Sequence, residues 1–438
     1  MKIRKVAVTG TKGKTTVVNM FSEVLQRLGV DEVLSVNTDG HFINGEQRST
    51  MKDSIAVWSM RPTVCPGRYL YEFVDTAKNQ PEDGQEKEYA AVFEASLSSG
   101  TTIGVGYAVA SVAVFLNVFD DHIGSSVRTN IKSRKDLAKL KSFIYTRMAN
   151  NGYAVCNADD VLVVKSLKVI PKEKKTKILY FGLHQNTARL LKKKNTQGVV
   201  TVAGGNIVYV TQEGTEVVSP VSSVSWTFEG EYEPSVYNVL AITAMTIGYY
   251  DGKISKKFAQ VLSEIHPDAR SGRLVRFTCT KNISLIADYA HEKESLCEMA
   301  SLGRKLAGKD KKVIGVVRLA HNRSDAHIKE VAKAIASSYD SLVVYDKIDG
   351  HWYTPEEDSQ ENKKFPKVVG RTSQVLYDAI VEYGGTAQRI VREDQALQKA
   401  YELASDGDTV IAIVGDDIDR SIECIQKSFE AEVMYTNT

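Results

Sequence analysis

The sequence predicts an α/β protein built from two domains, each with a mainly parallel sheet. The chain has 438 residues, which is more than one hydrophobic core usually supports. Short apolar strands alternate with amphipathic helices along most of its length. The segment His266–Gly272 follows a predicted helix and contains both proline and glycine. We therefore predict a first domain over residues 1–267 and a second over residues 268–438.

The chain begins with a strand, a glycine-rich turn and a helix. Residues 3–9 are rich in β-formers, and residues 15–28 carry apolar side chains at helical spacing. The residues between them form the turn. Such a turn directs backbone N–H groups and the positive end of the helix dipole to one point, which suits a phosphate group.

The residues of this turn have the types that nucleotide binding needs. Gly10 and Gly13 allow a close approach of the backbone, Lys14 supplies a positive charge for the β- and γ-phosphates, and the Thr15 hydroxyl can hold Mg²⁺. The general nucleotide loop would place its first glycine at Val8, so the turn is the tighter form that begins at Gly10. A glycine-rich connection without a ligand is the structural alternative.

Composition excludes several classes of function. Apolar residues make up 43% and charged residues 25% of the chain, as in a soluble globular protein, and the net charge of +2 gives no reason to expect a nucleic-acid partner. The five cysteines have no metal-type spacing, which favours reduced thiols in the cytoplasm. We expect no signal peptide and no membrane partner, because no apolar run approaches membrane-spanning length.

Two apolar strands end in groups that could hold a metal ion. Residues 89–96 form a buried strand with Glu94 near its end, and residues 110–118 lead into the sequence Asp-Asp-His-Ile-Gly, which contains His122. The carboxyl ends of neighbouring parallel strands meet at one edge of a sheet. A hard cation on nucleotide phosphates needs few protein ligands. His122 taken alone could equally be a hydrogen-bonded structural histidine.

The rest of the first domain predicts further sheet and helix. Residues 33–40 form a strand, and residues 41–48 form a hairpin. A helix over residues 133–149 carries Lys141, for which a surface position is the alternative, and a strand follows over residues 152–160.

Alternating apolar residues then predict a small antiparallel β module over residues 197–232. The helix after it, over residues 235–249, carries Asn238 near its start, where capping is the structural alternative.

The second domain alternates strands with helices, which predicts a Rossmann-like parallel sheet. The predicted strands cover residues 283–288, 313–318, 341–345 and 409–414. The predicted helices cover residues 293–307, 325–338, 373–383 and 394–404.

Five motifs, taken in order, resemble the Mur ligase superfamily. They are the Gly10 loop, Glu94, the Asn-x-x-x-Asp-His-Ile-Gly turn from Asn117, the Asn-Ala-Asp-Asp strand end from Asn157, and Gly272-Arg with Asp-Tyr-Ala-His up to His291. The resemblance implies a P-loop-containing central domain followed by a C-terminal domain. The β module and the Thr-Asp-Gly hairpin are most similar to the Mur-ligase-like half of the cyanophycin synthetases.

The resemblance also implies roles for individual residues. It implies nucleotide contacts at Gly10, Thr11, Lys12, Gly13, Lys14, Thr15, Thr16, Asn238, Arg273, Asp288 and His291. It implies metal ligands at Thr15, Glu94 and His122. It implies catalytic roles for Lys14, His122 and Lys141, and Lys141 matches a lysine that many members carry as a carbamate. Its carbamoylation here is left open.

By resemblance, the chain is an ATP-dependent, Mg²⁺-requiring ligase that joins an amino acid to a small-molecule or peptide carboxylate. A UDP-muramyl acceptor is not expected, because the extra N-terminal domain that would hold it is absent. The alternatives are a folylpolyglutamate-synthase-like or poly-γ-glutamate-type ligase and, in another class, a non-catalytic ATP-binding subunit of a ligase complex. The last is favoured by Glu292-Lys293, which replaces the usual Asn-Pro or Thr-Pro, and by altered residues around Asn322. A homo-oligomer is possible.

Overall fold

The protein divides into two compact units in a computed structural model, Met1–Ile265 and His266–Thr438. We call them unit 1 and unit 2. The structure describes residues 3–50, 66–78, 87–97, 107–120, 131–320, 323–346, 370–415 and 417–434. His122 and Asn322 therefore lie outside the described residues. No helix within these ranges combines the length and the apolar composition needed to span a bilayer.

Unit 1 is built on one sheet of eleven strands. The strands are β1 (Ile3–Thr9), β2 (Glu32–Asn37), β3 (Gly40–Ile43), β4 (Glu46–Thr50), β5 (Tyr89–Glu94), β6 (Ala110–Phe115), β7 (Met148–Asn157), β8 (Lys177–Phe181), β9 (Thr196–Ala203), β10 (Asn206–Val210) and β11 (Thr215–Pro220). Their order is β11-β10-β9-β8-β7-β6-β1-β5-β2-β3-β4. The run from β9 to β2 is parallel.

The two edges of this sheet are antiparallel hairpins, which confirms a mainly parallel sheet with a small antiparallel module. At one edge β9 pairs with β10 and β10 with β11, and at the other β2 pairs with β3 and β3 with β4. The module is not a separate layer, because β9 also pairs in parallel with β8. The parallel part of the sheet therefore continues without a break into the antiparallel module.

The helices of unit 1 cover the sheet. They are α1 (Lys14–Arg27), α2 (Pro66–Lys78), α3 (Arg134–Lys141), α4 (Phe143–Thr146), α5 (Val161–Ser166), α6 (Thr187–Leu191), α7 (Glu233–Tyr249) and α8 (Phe258–Glu264). In α1, Val17, Phe21 and Val24 form one apolar face that is completely buried. In α7 the apolar residues lie all round the helix because it packs against both α1 and strands β6 to β9.

The predicted helix over residues 133–149 is wrong in its last turn. The structure has α3 and the single turn α4, and β7 already begins at Met148, which pairs with Ala110. Asn151 adopts a left-handed conformation with φ of 62°, and a register shift follows before Tyr153 pairs with Val112. Pairing with β6 therefore overrides the helical pattern at Met148. The predicted strand over 110–118 also ends earlier, at Phe115.

Unit 2 is a second α/β layer around a seven-stranded sheet. Its strands are β12 (Val275–Cys279), β13 (Ser284–Asp288), β14 (Val313–Val317), β15 (Ser341–Val344), β16 (Ala387–Arg389), β17 (Thr409–Ile413) and β18 (Ala431–Val433). Its helices are α9 (Lys293–Leu306), α10 (Asp325–Ile335), α11 (Arg371–Glu382), α12 (Glu393–Leu403) and α13 (Ile418–Phe429).

The strand order in unit 2 is β16-β15-β14-β17-β13-β12-β18. The five strands from β16 to β13 are parallel, and β12 and β18 form an antiparallel edge. All four predicted strands and all four predicted helices are present, which confirms the Rossmann-like prediction. The strands that the sequence analysis missed, β12, β16 and β18 here and β8 in unit 1, have three to five residues each and lack a long apolar pattern.

Candidate nucleotide site

The glycine-rich turn joins β1 to α1 in a shape that favours glycine. Gly13 is the residue before α1 and has a φ of 81°, a left-handed conformation that side chains disfavour. A Cβ on Gly13 would lie 2.6 Å from Oδ1 of Asn238. No described side chain caps α1, so its first N–H groups point at the site where an anion would be held.

Asn117 holds the loop from the neighbouring strand end. Its Oδ1 accepts hydrogen bonds from the backbone N–H groups of Lys12 at 2.8 Å and Thr11 at 3.0 Å. Its Nδ2 donates to the carbonyl of Lys12 at 3.1 Å. The sequence analysis used Asn117 only as part of a motif, and the structure shows what the amide does: it fixes the loop before any ligand arrives.

Glu94 connects the loop to two further groups. The buried carboxylate, 2% exposed, accepts a hydrogen bond from the Thr15 hydroxyl at 2.8 Å on Oε2. Its Oε1 accepts from the Thr38 hydroxyl at 3.1 Å and lies 3.7 Å from Nζ of Lys14. Lys14 also donates to the carbonyl of Thr11 at 3.0 Å. The loop lysine, the loop threonine and the carboxylate therefore converge, as the sequence predicted.

Thr38 is a site residue that the sequence analysis did not include. It follows β2, and both its backbone N–H, at 3.3 Å, and its hydroxyl donate to Glu94. The Thr-Asp-Gly turn was noted as a family resemblance, but nothing in the sequence pairs Thr38 with a residue so far along the chain. Parallel pairing of β2 with β5 brings the two strand ends together.

The oxygen atoms at this point fit a magnesium ion. Mg²⁺ prefers hard oxygen ligands and retains several waters, and Thr15 and Glu94 offer a hydroxyl and a carboxylate within 2.8 Å of each other. The described residues contain no group of three or more His, Cys, Asp or Glu side chains that could form a metal cage. Thr15 and Glu94 could serve as two protein ligands of such an ion, and the role of His122 stays a prediction.

Lys141 reaches the loop from α3. Its side chain is buried, 3% exposed, and Nζ donates a 2.7 Å hydrogen bond to the carbonyl of Gly10. The alternative of a surface lysine is therefore wrong. An ammonium group in this position anchors the first glycine of the loop, and a carbamate on the same nitrogen stays a hypothesis.

Asn238 lies beyond the first turn of α7, so its side chain does not cap that helix. It contacts the loop at Gly13 instead. The preceding residue, Tyr237, donates its hydroxyl to Asp159 at 2.8 Å. Burial raises the pKa of Tyr237 and the nearby Asp159 carboxylate raises it further, so the hydroxyl stays a donor at all ordinary pH values. This pair fixes α7 to the end of β7 beside the loop.

The residues predicted in unit 2 gather at the carboxyl end of β13. Asp288 ends the strand, and its Oδ2 accepts a hydrogen bond from the N–H of Leu274 at 3.0 Å, directly after Arg273. The guanidinium carbon of Arg273 lies 5.6 Å from the centre of the Tyr289 ring. The ring nitrogen Nδ1 of His291 lies 2.9 Å from the carbonyl of Tyr289. Three predicted residues thus form one local group.

Burial raises the pKa of Asp288, whereas the positive charge of Arg273 opposes that rise. The backbone N–H groups of Leu274 and Ala290 and the charge of Arg318 also act to lower the pKa of this carboxyl.

Glu292 and Lys293, which replace the Asn-Pro or Thr-Pro expected from the family resemblance, both form ion pairs. Glu292 accepts a 2.7 Å hydrogen bond from Arg323 Nη2, and its Oε1 lies 3.7 Å from Nε2 of His291. Lys293 pairs with Glu330 on α10 at 2.5 Å. These pairs connect the start of α9 to α10 and to the residues just before it, so the departures form a compact ionic network.

Two family models match the chain. The Mur ligase middle domain matches residues 8–246, and the Mur ligase glutamate ligase domain matches residues 272–414. The chain is 24% identical over 435 residues to a cyanophycin synthetase of Geminocystis herdmanii (strain PCC 6308), an alignment that covers 97% of this chain and 44% of that protein. The chain thus spans less than half the length of the cyanophycin synthetases that it matches.

Other relatives agree on the architecture. A UDP-N-acetylmuramoyl-L-alanyl-D-glutamate--2,6-diaminopimelate ligase of Bacillus cereus (strain ATCC 14579) is 23% identical over 350 residues, which cover 78% of this chain and 62% of that enzyme. Among solved structures, E. coli FolC in complex with DHPP and ADP superposes with a TM-score of 0.65 at 15% identity, covering 97% of this chain and 89% of FolC. This structural similarity concerns the fold alone.

Proposed function

This chain belongs to the Mur ligase family, and from that premise we propose that it is an ATP-dependent carboxylate–amine ligase that forms a C–N bond and releases ADP. The observation that carries the proposal is the convergence of Lys14, Thr15 and Glu94 at the glycine loop. These are a cation for phosphate, a hydroxyl for a hard metal ion and a carboxylate to orient both. A plain βα connection would not need to bury Glu94 against the loop.

The chemistry needs a charged and enclosed phosphate site. A carboxylate is a poor acylating agent, so its oxygen attacks the γ-phosphorus of ATP, ADP leaves, and an acyl phosphate forms. An amine then attacks the acyl carbon, phosphate leaves, and the nitrogen gives up a proton as the amide forms. Lys14 is positioned to neutralise charge on the transferred phosphoryl group. Bound Mg²⁺, held by Thr15 and Glu94, would supply further charge neutralisation at the β- and γ-phosphates.

We extend the proposal to unit 2 through Arg273, Asp288 and His291. The family resemblance assigns these residues to the nucleotide, and their grouping at the end of β13 supports a common role. Carboxyl ends of parallel strands are where α/β sheets bind ligands.

The proposed substrates are an amino acid and a small-molecule or peptide carboxylate. The name of one relative supports this class: the diaminopimelate ligase joins 2,6-diaminopimelate to UDP-N-acetylmuramoyl-L-alanyl-D-glutamate. A folylpolyglutamate-synthase-like activity is a narrower version, for which a pteridine-bearing acceptor is the discriminating substrate.

The decisive experiment measures ADP release against a matrix of amino acids and acceptors that includes acidic peptides and a folate. We expect release that requires one amino acid and one acceptor together, and that Lys14→Ala abolishes. Lys165→Ala is the matched control, because Lys165 is an exposed lysine of unit 1 on α5. Both variants should keep the native fold, checked by circular dichroism, because neither lysine packs in the apolar core, although Lys14→Ala removes the cation that faces the buried Glu94.

A non-catalytic nucleotide-binding subunit is the second candidate. The ionic network around Glu292 favours it, because Glu292 is tied to Arg323 where other family members have Asn-Pro or Thr-Pro. Tight ATP binding that depends on Lys14, together with no acceptor-dependent ADP release across the whole matrix, would support this candidate and contradict the ligase.

A further inference from the structure

Arg318 in unit 2 is a buried cation that forms no ion pair with any residue that the structure describes. It follows β14, its side chain is 0% exposed, and it had no place among the predicted site residues. Its Nε donates to the carbonyl of Val414 at 2.9 Å, and Nη2 donates to the same oxygen. The third nitrogen, Nη1, is buried and has no hydrogen-bond partner among the described residues.

A buried charge of this kind does not stabilise the fold. Removing a guanidinium from water is costly, and one carbonyl oxygen returns only part of the lost hydration. An apolar side chain of similar size would fill the same space at lower cost. The position therefore indicates a role for the positive charge itself, because buried ionisable groups that the core does not need gather at functional sites.

The surroundings of Arg318 connect it to the predicted nucleotide residues. Its guanidinium carbon lies 4.7 Å from the centre of the Tyr289 ring, and that of Arg273 lies 5.6 Å from the centre of the same ring. Nε of Arg273 is likewise buried without a partner among the described residues. Two arginines thus act on one aromatic ring, which lies between Asp288 and His291 in the chain.

The backbone adds a second connection. Val414 accepts from Arg318 through its carbonyl and donates its N–H to the carbonyl of Asp288 at 2.9 Å. The position of Arg318 is therefore coupled to the end of β13 through the backbone of one residue, Val414, as well as through the Tyr289 ring. The side chain of Asp288 is held separately, because its Oδ2 accepts a hydrogen bond from the N–H of Leu274.

We propose that Arg318 is a positioning residue: it supports the Tyr289 ring from the buried side, orients the segment from Asp288 to His291, and supplies a second positive charge to the Asp288 carboxylate. The inference rests on the proposed function in one respect, that Asp288 acts on bound nucleotide. It adds a residue that neither the motifs nor the family resemblance assigned.

The electrostatics of Asp288 give the inference a measurable consequence. The groups that act on its carboxylate are the cations Arg273 and Arg318, the backbone N–H groups of Leu274 and Ala290, and the Tyr339 side chain. Burial is the largest influence and raises the pKa of Asp288, whereas both arginines lower it. Loss of the Arg318 charge must therefore raise that pKa further, so that Asp288 becomes protonated at a higher pH.

The test is the pH dependence of binding of a fluorescent ATP analogue to the full chain. We expect the affinity to change in a step as Asp288 is titrated, and this step is identified as the one that Asp288→Asn removes. Arg318→Met should move this step to higher pH by on the order of one pH unit. Arg318→Lys keeps the charge and should leave the step near its wild-type pH, while weakening affinity because an ammonium cannot stack or form the two-donor contact.

Two controls separate this result from a change in stability. Arg304→Met removes an arginine of unit 2 whose side chain is 49% exposed, and it should leave the step in place. If Arg318→Met does not fold, Arg318→Gln keeps a donor for Val414 without the charge, and the same shift is expected.

The outcomes distinguish this inference from the proposed function. A folded neutral variant with the wild-type step, or a wild-type profile with no step that Asp288→Asn removes, would overturn the role of Arg318. Absence of nucleotide binding by the wild type, or binding that Lys14→Ala leaves unchanged, would overturn the proposed function instead.

Discussion

The two predicted groups of site residues differ in how their charges are satisfied. In unit 1 the Glu94 carboxylate accepts from Thr15 and Thr38 and faces Lys14. In unit 2 two arginines beside Tyr289 each keep one buried nitrogen without a partner among the described residues. The Glu94 carboxylate is therefore hydrogen-bonded on both oxygens, whereas the group at Asp288 includes two buried donor nitrogens without a hydrogen-bond partner among the described residues.

This difference predicts which residues tolerate substitution. A group whose members are hydrogen-bonded to one another holds its geometry through those mutual bonds, so removing one member disturbs the others. Exposed ion pairs contribute little, because water competes for both partners. We therefore expect the strongest effects around Glu94 and the weakest in the ionic network of unit 2.

The largest effect is expected from Glu94→Gln. The change preserves shape but removes the negative charge that faces Lys14 and the proposed metal ion. We expect kcat/KM for ADP release to fall on the order of 10²- to 10³-fold, with a raised Mg²⁺ requirement. Glu23→Gln on α1 is the control, since it makes the same change at a glutamate that pairs with Arg27 on the same helix. Wild-type activity in Glu94→Gln would break the comparison.

Gly13→Ala should have the second largest effect. Alanine at a φ of 81° is strained, and its methyl group would lie 2.6 Å from Asn238 Oδ1. We expect the free energy of unfolding to fall by about 1–3 kcal/mol and nucleotide affinity to fall at least about tenfold, measured by denaturant titration and by binding of a fluorescent ATP analogue.

Gly204→Ala separates backbone strain from the clash. Gly204 also has a positive φ, of 56°, but a Cβ there would meet no atom within 4 Å. This variant should lose about 1 kcal/mol of stability and retain nucleotide affinity. Equal nucleotide affinity in the two variants would show that the contact with Asn238 is unimportant.

Thr38→Val should have a moderate effect. Valine keeps the shape of the side chain but removes the hydroxyl that donates to Glu94 at 3.1 Å, while the backbone N–H remains. One lost hydrogen bond to a charged group corresponds to about 1.5 kcal/mol, so kcat/KM should fall about tenfold. Thr38→Ser should recover most of this loss. Full activity in the valine variant would mean that Thr15 and the remaining backbone N–H of residue 38 suffice to orient the carboxylate.

Glu292→Gln should have the smallest effect. The partners Glu292 and Arg323 are both partly exposed, at 19% and 28% of their side chains. We expect a change of at most about 1 kcal/mol in unfolding free energy and less than about fivefold in kcat/KM. A complete loss of ADP release would reverse the comparison, since it would make the unusual glutamate of unit 2 a catalytic residue.

Much of the fold could be predicted because its signals are local. The loop at Gly10, the hairpin that follows β2, and the strand–helix alternation of unit 2 each depend on residues close together in the chain. The sequence predicted the wrong secondary structure, or missed a strand, where strand pairing rather than the local pattern decides the conformation. Met148 continues a helical pattern in the sequence but pairs with Ala110 as a strand, and β8 follows a lysine-rich segment that hides its short apolar run.

The candidate site divides in the same way. Lys14, Thr15 and Glu94 could be predicted, because their types and their places at strand and helix ends match a phosphate and metal site. The contacts of Asn117 with Lys12, of Thr38 with Glu94 and of Lys141 with Gly10 could not. Each joins residues that are distant in the chain, and only the order of the strands brings them together.

The sequence by itself determined that a glycine turn, a following lysine and threonine, and two α/β domains exist, because these follow from backbone sterics and hydrophobic periodicity over a few residues. Only the tertiary structure decided that Thr38 orients Glu94 and that Arg318 is buried beside Tyr289. The physical reason is that hydrogen bonding and desolvation depend on neighbours in space. Strand pairing sets those neighbours, and no local pattern in the chain contains that information.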